Sequence, residues 1–310
     1  MHHLLLMCKN TPVYDIDTQV VLNKALLPGA IKHQTMTYEQ WMKTRYSTGS
    51  NTPARRMALR AFGSDNHNTS LHITRALSLT DSYWLKNENE TICFEEVTPY
   101  LNKEWDGTGD FKGGSIATLF VNGAAHKQWL NETWLKKLSC SEEYFVVDIA
   151  NKLGVLPVVD IQLDDNKKDI RVKNFTNINV FFESAEQSGL VGGFDVPIKK
   201  WIDLYGQDFV KLVLLDHLVE NDDRHWGNFG HLRDANTGEI LGLSPHYDFD
   251  WAFKDGTIPL SDVVYQKYGD IVEDLTNKAL ELSRDYPDPL IAGKLAYRGK
   301  ELKDILDGNR

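Results

Sequence analysis

Few cysteines, short apolar runs and a shortage of positive charge are the first features of this 310-residue sequence. Its three cysteines, Cys8, Cys93 and Cys140, lie far apart and form no CxxC pair. Neither a disulfide framework nor a cysteine zinc site is therefore expected. Free thiols of this kind suit a reducing compartment, so we expect a cytoplasmic protein.

Apolar runs are too short for export or membrane insertion. The run near the start of the sequence, Leu4 to Met7, has four residues, which is too few for the core of a signal peptide. No later stretch approaches the roughly 18 apolar residues that a membrane span requires. We therefore expect no secretion by the general route and no membrane partner.

The charge balance is acidic, with 34 basic and 44 acidic residues and a formal net charge of −10. A chain of this charge is not built to coat nucleic acid or an anionic membrane, so direct nucleic-acid binding is not expected. Residues 41–80 are the local exception, with six basic residues and one acidic residue. This segment is either a solvated helix face or a docking surface for an acidic partner or a nucleic acid.

Composition is that of an ordinary globular protein, with 42% hydrophobic and 25% charged residues. The length suits two domains or one large two-lobed domain. We predict an α+β fold with an N-terminal α+β extension over 1–108, a strand-rich region with one helix over 109–200 and a helical region over 201–310.

Local patterns predict the main elements. One predicted helix begins with Thr52 as its cap and Pro53 in its first turn, and it ends at Gly63, which suits a left-handed stop. The run from Asp208 to Val219 is apolar enough for a buried helix. The predicted elements are a strand-like stretch from Thr11, helices over 38–44, 52–63 and 141–153, a hairpin over 155–175, and helices over 208–219, 260–284 and 288–308.

Two polar segments, 221–228 and 246–250, follow apolar elements and carry the candidate chemistry. Asp223 and Asn228 are five residues apart, the separation found in the kinase catalytic loop HRDxxxxN. Asp248 lies 20 residues after Asn228 and precedes Phe249, as in a DFG-type turn. Hard oxygen ligands and a carboxylate facing the nucleophile are what phosphoryl transfer needs. We predict Asp223 as the catalytic base, and Asn228 and Asp248 as ligands of Mg²⁺.

Each of these residues also has a structural interpretation. Asp223 and Asp248 are suited to capping helices, and Asn228 is suited to a turn. For the neighbouring residues we expect structural roles: a hydrogen-bonding role for His225, a nearby carboxylate as the partner of Arg224, and a buried polar pair for Asp216 and His217.

The segment from Val121 to Lys127 is the candidate phosphate loop, since the sequence has no GxGxxG. Its small residues let backbone N–H groups approach a phosphate, although a plain hairpin turn has the same composition. Lys136 or Lys137, in the next apolar stretch, is the candidate for contact with the α- and β-phosphates of ATP. The predicted nucleotide-binding residues are Gly123, Ala124, Ala125, His126, Lys127 and Lys136.

Four stretches of the sequence resemble the HipA-like kinases, bacterial serine/threonine kinases that include toxins of toxin–antitoxin pairs. They are SLTDSYWLK at 78–86, NGAAHKQW at 122–129, ENDDRHWGNFG at 220–230 and SPHYDFD at 244–250. The resemblance implies a two-lobed protein-kinase-like fold, with a small lobe over 109–200 and a helical large lobe over 201–310. It also implies ATP and Mg²⁺ as cofactors, a protein substrate and the site residues named above, with Lys136 placed by its position after the phosphate loop.

One departure from the family pattern concerns the partner of the ATP lysine. The family helix after the lysine strand usually reads QEPxNE, and its Glu pairs with the lysine. Here Phe145 and Val146 stand where Asn and Glu are expected, and Glu143 and Asp148 are the candidate replacements. This departure keeps a nucleotide-binding pseudokinase open as an alternative.

Other functions also remain open. DRHxxN occurs in lipid kinases, so a lipid or small-molecule acceptor is an alternative to a protein. Autophosphorylation is a further expectation, with Ser115, Thr118, Ser139 and Ser141 as candidate sites. A metal-dependent phosphohydrolase is the alternative from a different class, with a centre drawn from His217, Asp222, Asp223, His225, His246, Asp248 and Asp250.

Overall fold

The computed structural model describes residues 3–45, 75–98, 100–101, 127–131, 134–190, 199–254, 256, 260 and 262–308. Over these residues the protein is a mixed α/β structure with small sheets, in agreement with the predicted α+β class. The strands are β1 Leu4–Cys8, β2 Thr11–Asp15, β3 Val20–Val21, β4 Tyr83–Asn87, β5 Lys127–Asn131, β6 Trp134–Lys137, β7 Ile161–Leu163, β8 Ile170–Lys173, β9 Val180–Ser184, β10 Gly230–Asp234 and β11 Ile240–Leu243.

Eight helices complete the described part of the chain. They are α1 Gly29–Lys32, α2 Tyr38–Thr44, α3 Phe94–Val97, α4 Ser141–Leu153, α5 Lys199–Tyr205, α6 Gln207–Leu218, α7 Asp262–Asp285 and α8 Pro289–Leu306. Among these described helices, none combines the length and the apolar character needed to cross a bilayer. The helix predicted over 52–63 lies outside the described residues.

The chain forms two compact units that alternate along the sequence. The first unit consists of Met1–Ser139, Arg171–Gly192 and Gly230–Ser244, and the second of Cys140–Ile170, Gly193–Phe229 and Pro245–Arg310. The division into three consecutive regions, over 1–108, 109–200 and 201–310, stays a prediction.

Sheets of the first unit are built from neighbouring antiparallel strands. One has the order β3-β2-β1-β4, and another has the order β11-β10-β9. β5 pairs with β6, which is also adjacent to β8. The short apolar run at the start of the sequence is β1, a central strand, and Leu6 packs with Trp41, Tyr83 and Phe181 in the core.

Local capping explains the helices that were predicted correctly. At the start of α2, the side chain of Thr37 accepts the N–H of Gln40 at 3.2 Å, and the side chain of Gln40 accepts the N–H of Thr37 at 2.8 Å. α4 ends at Gly154, whose φ of 73° is the left-handed conformation that glycine adopts without a Cβ clash. Asp288 caps α8 by accepting the N–H groups of Leu290 and Ile291.

β10 and β11 lie within the region that we predicted to be mostly helical, and the prediction did not include these two strands. The two strands are joined by a tight turn, in which Asp234 Oδ1 accepts the N–H groups of Asn236 at 2.7 Å and Thr237 at 2.8 Å. The inward side chains of β10 are His231 and Arg233, which are polar, so the strand lacks the apolar alternation that identifies a half-buried strand.

A buried carboxylate compensates these two inward side chains. Glu183 on β9 accepts a hydrogen bond from Arg233 Nη1 at 2.8 Å and lies 2.9 Å from His231 Nε2. Its other contact is the N–H of Gly29 at the start of α1, also at 2.8 Å. Its side chain is only 5% exposed, so removal of this carboxylate leaves a buried guanidinium without its counter-charge.

We expect Glu183→Ala to lower the free energy of unfolding by about 3–5 kcal/mol, because it breaks a buried ion pair from one side. Urea unfolding followed by circular dichroism measures this loss. The matched control is Asp274→Ala, which removes an exposed partner of Lys278 and should cost no more than about 0.5 kcal/mol. A Glu183→Ala variant as stable as the control would contradict the assigned role.

Candidate active site

Two segments of the second unit form the candidate site. The Asp–Asn loop, residues 221–228, follows the buried helix α6, and the acidic turn, residues 246–250, comes later in the chain. The N–H of Asn221 donates to the carbonyl of Asp216 at 2.9 Å, and that of Phe253 donates to the carbonyl of Val219 at 2.8 Å. The Asp–Asn loop and the chain just after the acidic turn are therefore attached to the end of one apolar helix.

Arg224 joins the Asp–Asn loop to the acidic turn. Its Nε and Nη2 each lie 2.9 Å from the carboxylate of Asp216, and both side chains are buried. Its Nη1 donates to the carbonyl of Asn228 at 2.9 Å and to that of Tyr247 at 2.8 Å. The guanidinium also lies over the ring of Phe249, 4.7 Å from its centroid. The expectation that Arg224 pairs with a carboxylate is confirmed.

Asn228 closes the Asp–Asn loop on itself. Its Nδ2 donates to the carbonyl of Asp223 at 2.7 Å, and its Oδ1 accepts the N–H of His225 at 3.1 Å. The five-residue spacing between Asp223 and Asn228 thus creates a ring of hydrogen bonds that fixes the backbone at both ends. The Oδ1 of Asn228 also lies 3.4 Å from Arg224 Nη1, a long contact, and an amide oxygen is a ligand of the hard kind that Mg²⁺ binds.

Asp223 presents an exposed carboxyl group from this fixed backbone. Its pKa lies above the usual value, because partial desolvation and the negative charges of Asp248, Asp250 and Asp222 disfavour ionisation, while His225 opposes the shift. A carboxyl group with a raised pKa is a stronger base once it is ionised.

Asp248 has a left-handed backbone, with a φ of 64°. This conformation is costly for a residue other than glycine and persists only where its surroundings hold it. The N–H of Asp248 donates to Oε1 of Glu143 at 2.8 Å, and Glu143 on α4 is 1% exposed. A buried carboxylate from a different helix therefore helps to hold the acidic turn in its unusual conformation.

Glu143, one of the two candidate replacements for the family Glu, contacts the acidic turn through the N–H of Asp248. Asp148 accepts from Lys152 Nζ at 2.5 Å and from the hydroxyl of Tyr286 at 3.0 Å, near the other end of α4. Sequence reasoning missed the contact of Glu143 with Asp248, because the two residues are 105 positions apart. The pairing of either carboxylate with the candidate ATP lysine, Lys136 or Lys137, stays a prediction.

The predicted roles of the nucleotide-binding residues stay predictions. Gly123, Ala124, Ala125 and His126 lie outside the described residues, as do the candidate phosphorylation sites Ser115 and Thr118. Lys127 begins β5, and Lys136 and Lys137 end β6. Lys136 is half-buried and Lys137 is buried, and the choice between them as the ATP lysine stays a prediction.

The oxygen atoms of the site are suited to Mg²⁺. The carboxylates of Asp223 and Asp248 and the amide oxygen of Asn228 are hard ligands of the kind that this ion binds. A hydrogen bond holds the backbone of each residue. The carbonyl of Asp223 accepts from Asn228 Nδ2, that of Asn228 accepts from Arg224 Nη1, and the N–H of Asp248 donates to Glu143 Oε1. The residues present therefore fit the proposed metal.

The His/Asp metal centre of a phosphohydrolase is less well supported. Within the part of the chain that the structure describes, the one group of three metal-binding side chains within 4.8 Å of one another is His3, Asp15 and Asp17, in the first unit. His246 is 2% exposed, and burial, with a smaller effect of Arg224, lowers its pKa to about 3. Its backbone makes a parallel bridge with Val158, which is a structural role.

Comparisons with known proteins show a likeness of fold. The sequence matches no family model and no curated protein. HipA of Shewanella oneidensis MR-1, solved in a complex with HipB and its operator DNA, is similar in structure with a TM-score of 0.57 and 14% identity over 99% of both chains. The Helicobacter pylori proinflammatory kinase CtkA has a TM-score of 0.43 and 20% identity, over 60% of this chain and 92% of that chain. The predicted resemblance to HipA-like proteins is thus confirmed for the fold over the whole chain.

We expect Glu143→Ala to destabilise the protein by about 1–3 kcal/mol, because the half-buried N–H of Asp248 loses its acceptor, a buried carboxylate. Glu143→Gln keeps a carbonyl oxygen at the same place and should retain most of the stability. Urea unfolding measures both, with Glu142→Ala as the control from the preceding, half-buried position on α4. Equal stability of the Ala and Gln variants would show that the hydrogen bond to Asp248 is unimportant.

Proposed function

We propose that this chain is an ATP- and Mg²⁺-dependent phosphotransferase that acts on a Ser or Thr hydroxyl of a protein, including its own chain. The observation that carries the proposal is the frame around Arg224, which ties Asp223, Asn228 and the acidic turn to Asp216. This frame presents two carboxylates and one amide oxygen from a rigid base. Such groups are the ones that phosphoryl transfer requires from a protein.

In the proposed reaction, the acceptor hydroxyl attacks the γ-phosphorus of ATP, its proton passes to the carboxylate of Asp223, and ADP leaves. Asn228 and Asp248 would hold Mg²⁺, which when bound neutralises charge on the phosphates. Glu143 holds the backbone of Asp248 in place, and Arg224 fixes the distance between the two segments. The protein's own contribution is therefore positioning and charge, as in other phosphotransferases.

A protein partner of the antitoxin kind is part of the proposal. The neighbouring HipA structure contains HipB and operator DNA, so an acidic net charge is a weak argument against nucleic acid in an assembly. The segment over 41–80 offers a partner less positive charge than its composition suggests, because two of its arginines pair with carboxylates of this chain. Arg45 is buried against Asp81, and Arg75 pairs with Glu90, while Arg55, Arg56 and Arg60 lie outside the described residues.

The alternatives differ in what the same site does. The absence of Asn-Glu at Phe145-Val146 favours a pseudokinase that binds nucleotide without transfer. A lipid or small-molecule acceptor requires the same Asp223, Asn228 and Asp248. A phosphate-transfer assay distinguishes these two alternatives from a protein kinase.

We expect the purified protein to transfer labelled phosphate from ATP in the presence of Mg²⁺, to itself or to a generic protein acceptor. Asp223→Asn and Asp248→Asn should each lower the rate by at least about 100-fold, since each removes a charged group from the reacting site. The control is Asp203→Asn, which changes an exposed carboxylate on α5. ATP binding without transfer would favour the pseudokinase, and transfer only to a lipid or small molecule would favour the other acceptors. A protein that neither transfers phosphate nor binds ATP would refute the proposal.

The raised pKa of Asp223 gives a prediction about pH. Asp223 must be ionised to accept a proton, so kcat/KM should fall as the pH drops through its pKa. Asp222→Asn removes a nearby negative charge, which lowers the pKa of Asp223 and moves this acid limb to lower pH. The profile of kcat/KM against pH measures the shift, with Asp270→Asn on α7 as the control. A shift to higher pH would contradict the assignment of Asp223 as the base.

A further inference from the structure

Glu220, the residue just before the Asp–Asn loop, is held by two cations from α8. Lys294 Nζ contacts one carboxylate oxygen, and Arg298 Nε lies 3.0 Å from the other. The Glu220 side chain is 4% exposed, and those of Lys294 and Arg298 are 14% and 12% exposed. Arg298 also pairs with Glu301, so the cluster holds two positive and two negative groups.

The backbone of Glu220 indicates why such a contact is needed. Its φ of 54° is left-handed, a conformation that is unfavourable for a residue other than glycine. Phe253, which follows the acidic turn, is also left-handed and donates its N–H to Val219, next to Glu220. Two strained positions thus meet at the point where the chain leaves α6 for the Asp–Asn loop.

α8 contacts α6 and, through these ion pairs, the residue just before the Asp–Asn loop. Lys294 and Arg298 are four residues apart and lie on one face of the helix, so both reach the same carboxylate. A cavity of about 690 Å³, lined by Glu220, Phe253, Leu290, Lys294 and Tyr297 among others, opens beside them. The ion pairs are a specific link between α8 and the residue that precedes the loop.

We propose that Glu220 is a positioning residue and that Lys294 and Arg298 are its anchor, a cluster we call the Glu220 clamp. The clamp fixes the start of the Asp–Asn loop, and with it the carboxylate of Asp223, three residues further on. This inference rests on the proposed phosphotransferase function. It assigns to α8, through Glu220, the task of orienting the catalytic base.

The position in the chain explains how the clamp acts on Asp223. Asn221, the next residue, is tied to Asp216 through its side chain at 2.6 Å and through its backbone at 2.9 Å. Asp216 in turn binds Arg224. The clamp and the Arg224 frame therefore hold the Asp–Asn loop from its two sides, and loss of the clamp frees only the first side.

The first test measures phosphate transfer by Glu220→Gln, Glu220→Asp and Lys294→Met. We expect Glu220→Gln and Lys294→Met to lower kcat by about tenfold to 100-fold, because a small misplacement of a catalytic group has effects of this size. The KM for ATP should change by less than about twofold, since the nucleotide contacts are intact. Glu220→Asp keeps the charge and should recover part of the lost kcat.

Two comparisons separate positioning from a loss of folding. The double variant Glu220→Gln/Lys294→Met should be no slower than the worse single variant, because both changes break the same contact. Lys278→Met, which removes an exposed ion pair with Asp274 on α7, should leave kcat unchanged. Wild-type kcat in Glu220→Gln, or additive losses in the double variant, would overturn the proposal.

Amide hydrogen exchange tests the clamp without relying on activity. In Glu220→Gln, exchange should become faster in residues 220–228 and stay unchanged in α4 and α7. Unchanged exchange over 220–228, or faster exchange throughout the second unit, would overturn the clamp. Should the wild-type protein transfer no phosphate, the proposed function fails, and this exchange pattern alone decides whether the clamp positions the loop.

Discussion

The ion pair between Arg224 and Asp216 is the interaction on which the candidate active site depends. Two charges are buried together at the end of an apolar helix, where either of them alone would be strongly unfavourable. Because Asp216 takes two of the guanidinium nitrogens in a bidentate contact, the third points away from α6 toward the carbonyl groups of Asn228 and Tyr247. One side chain thus determines how far apart the Asp–Asn loop and the acidic turn lie.

Buried charge is used in the same way elsewhere in the second unit. Glu143 accepts the N–H of Asp248 from inside the protein, and Glu220 binds Lys294 and Arg298 from α8. Each of these carboxylates lies beside a residue with left-handed backbone, or is itself such a residue. Left-handed backbone and buried charge are both unfavourable, and the same hydrogen bonds and ion pairs offset the two costs.

Elements with local determinants were predicted from the sequence. α4 has its predicted bounds, Ser141–Leu153, because its helical pattern and its glycine stop lie within one short segment. β10 was missed because its buried face carries His231 and Arg233, whose burial depends on Glu183 from another strand. A pattern of hydrophobic residues cannot identify a strand whose inward side chains are charged and compensated from a distant part of the chain.

The sequence by itself determined that Asp223 and Asn228 lie five residues apart, close enough for the amide of Asn228 to reach the backbone of Asp223. This short-range hydrogen bond joins two residues of one segment, so its partners are near each other in the chain. Only the tertiary structure decided that Glu143 would hold Asp248, 105 residues away, and that Lys294 would hold Glu220, 74 residues away. Such pairs depend on which helix faces are buried against each other, and the burial of one face is a property of the whole fold.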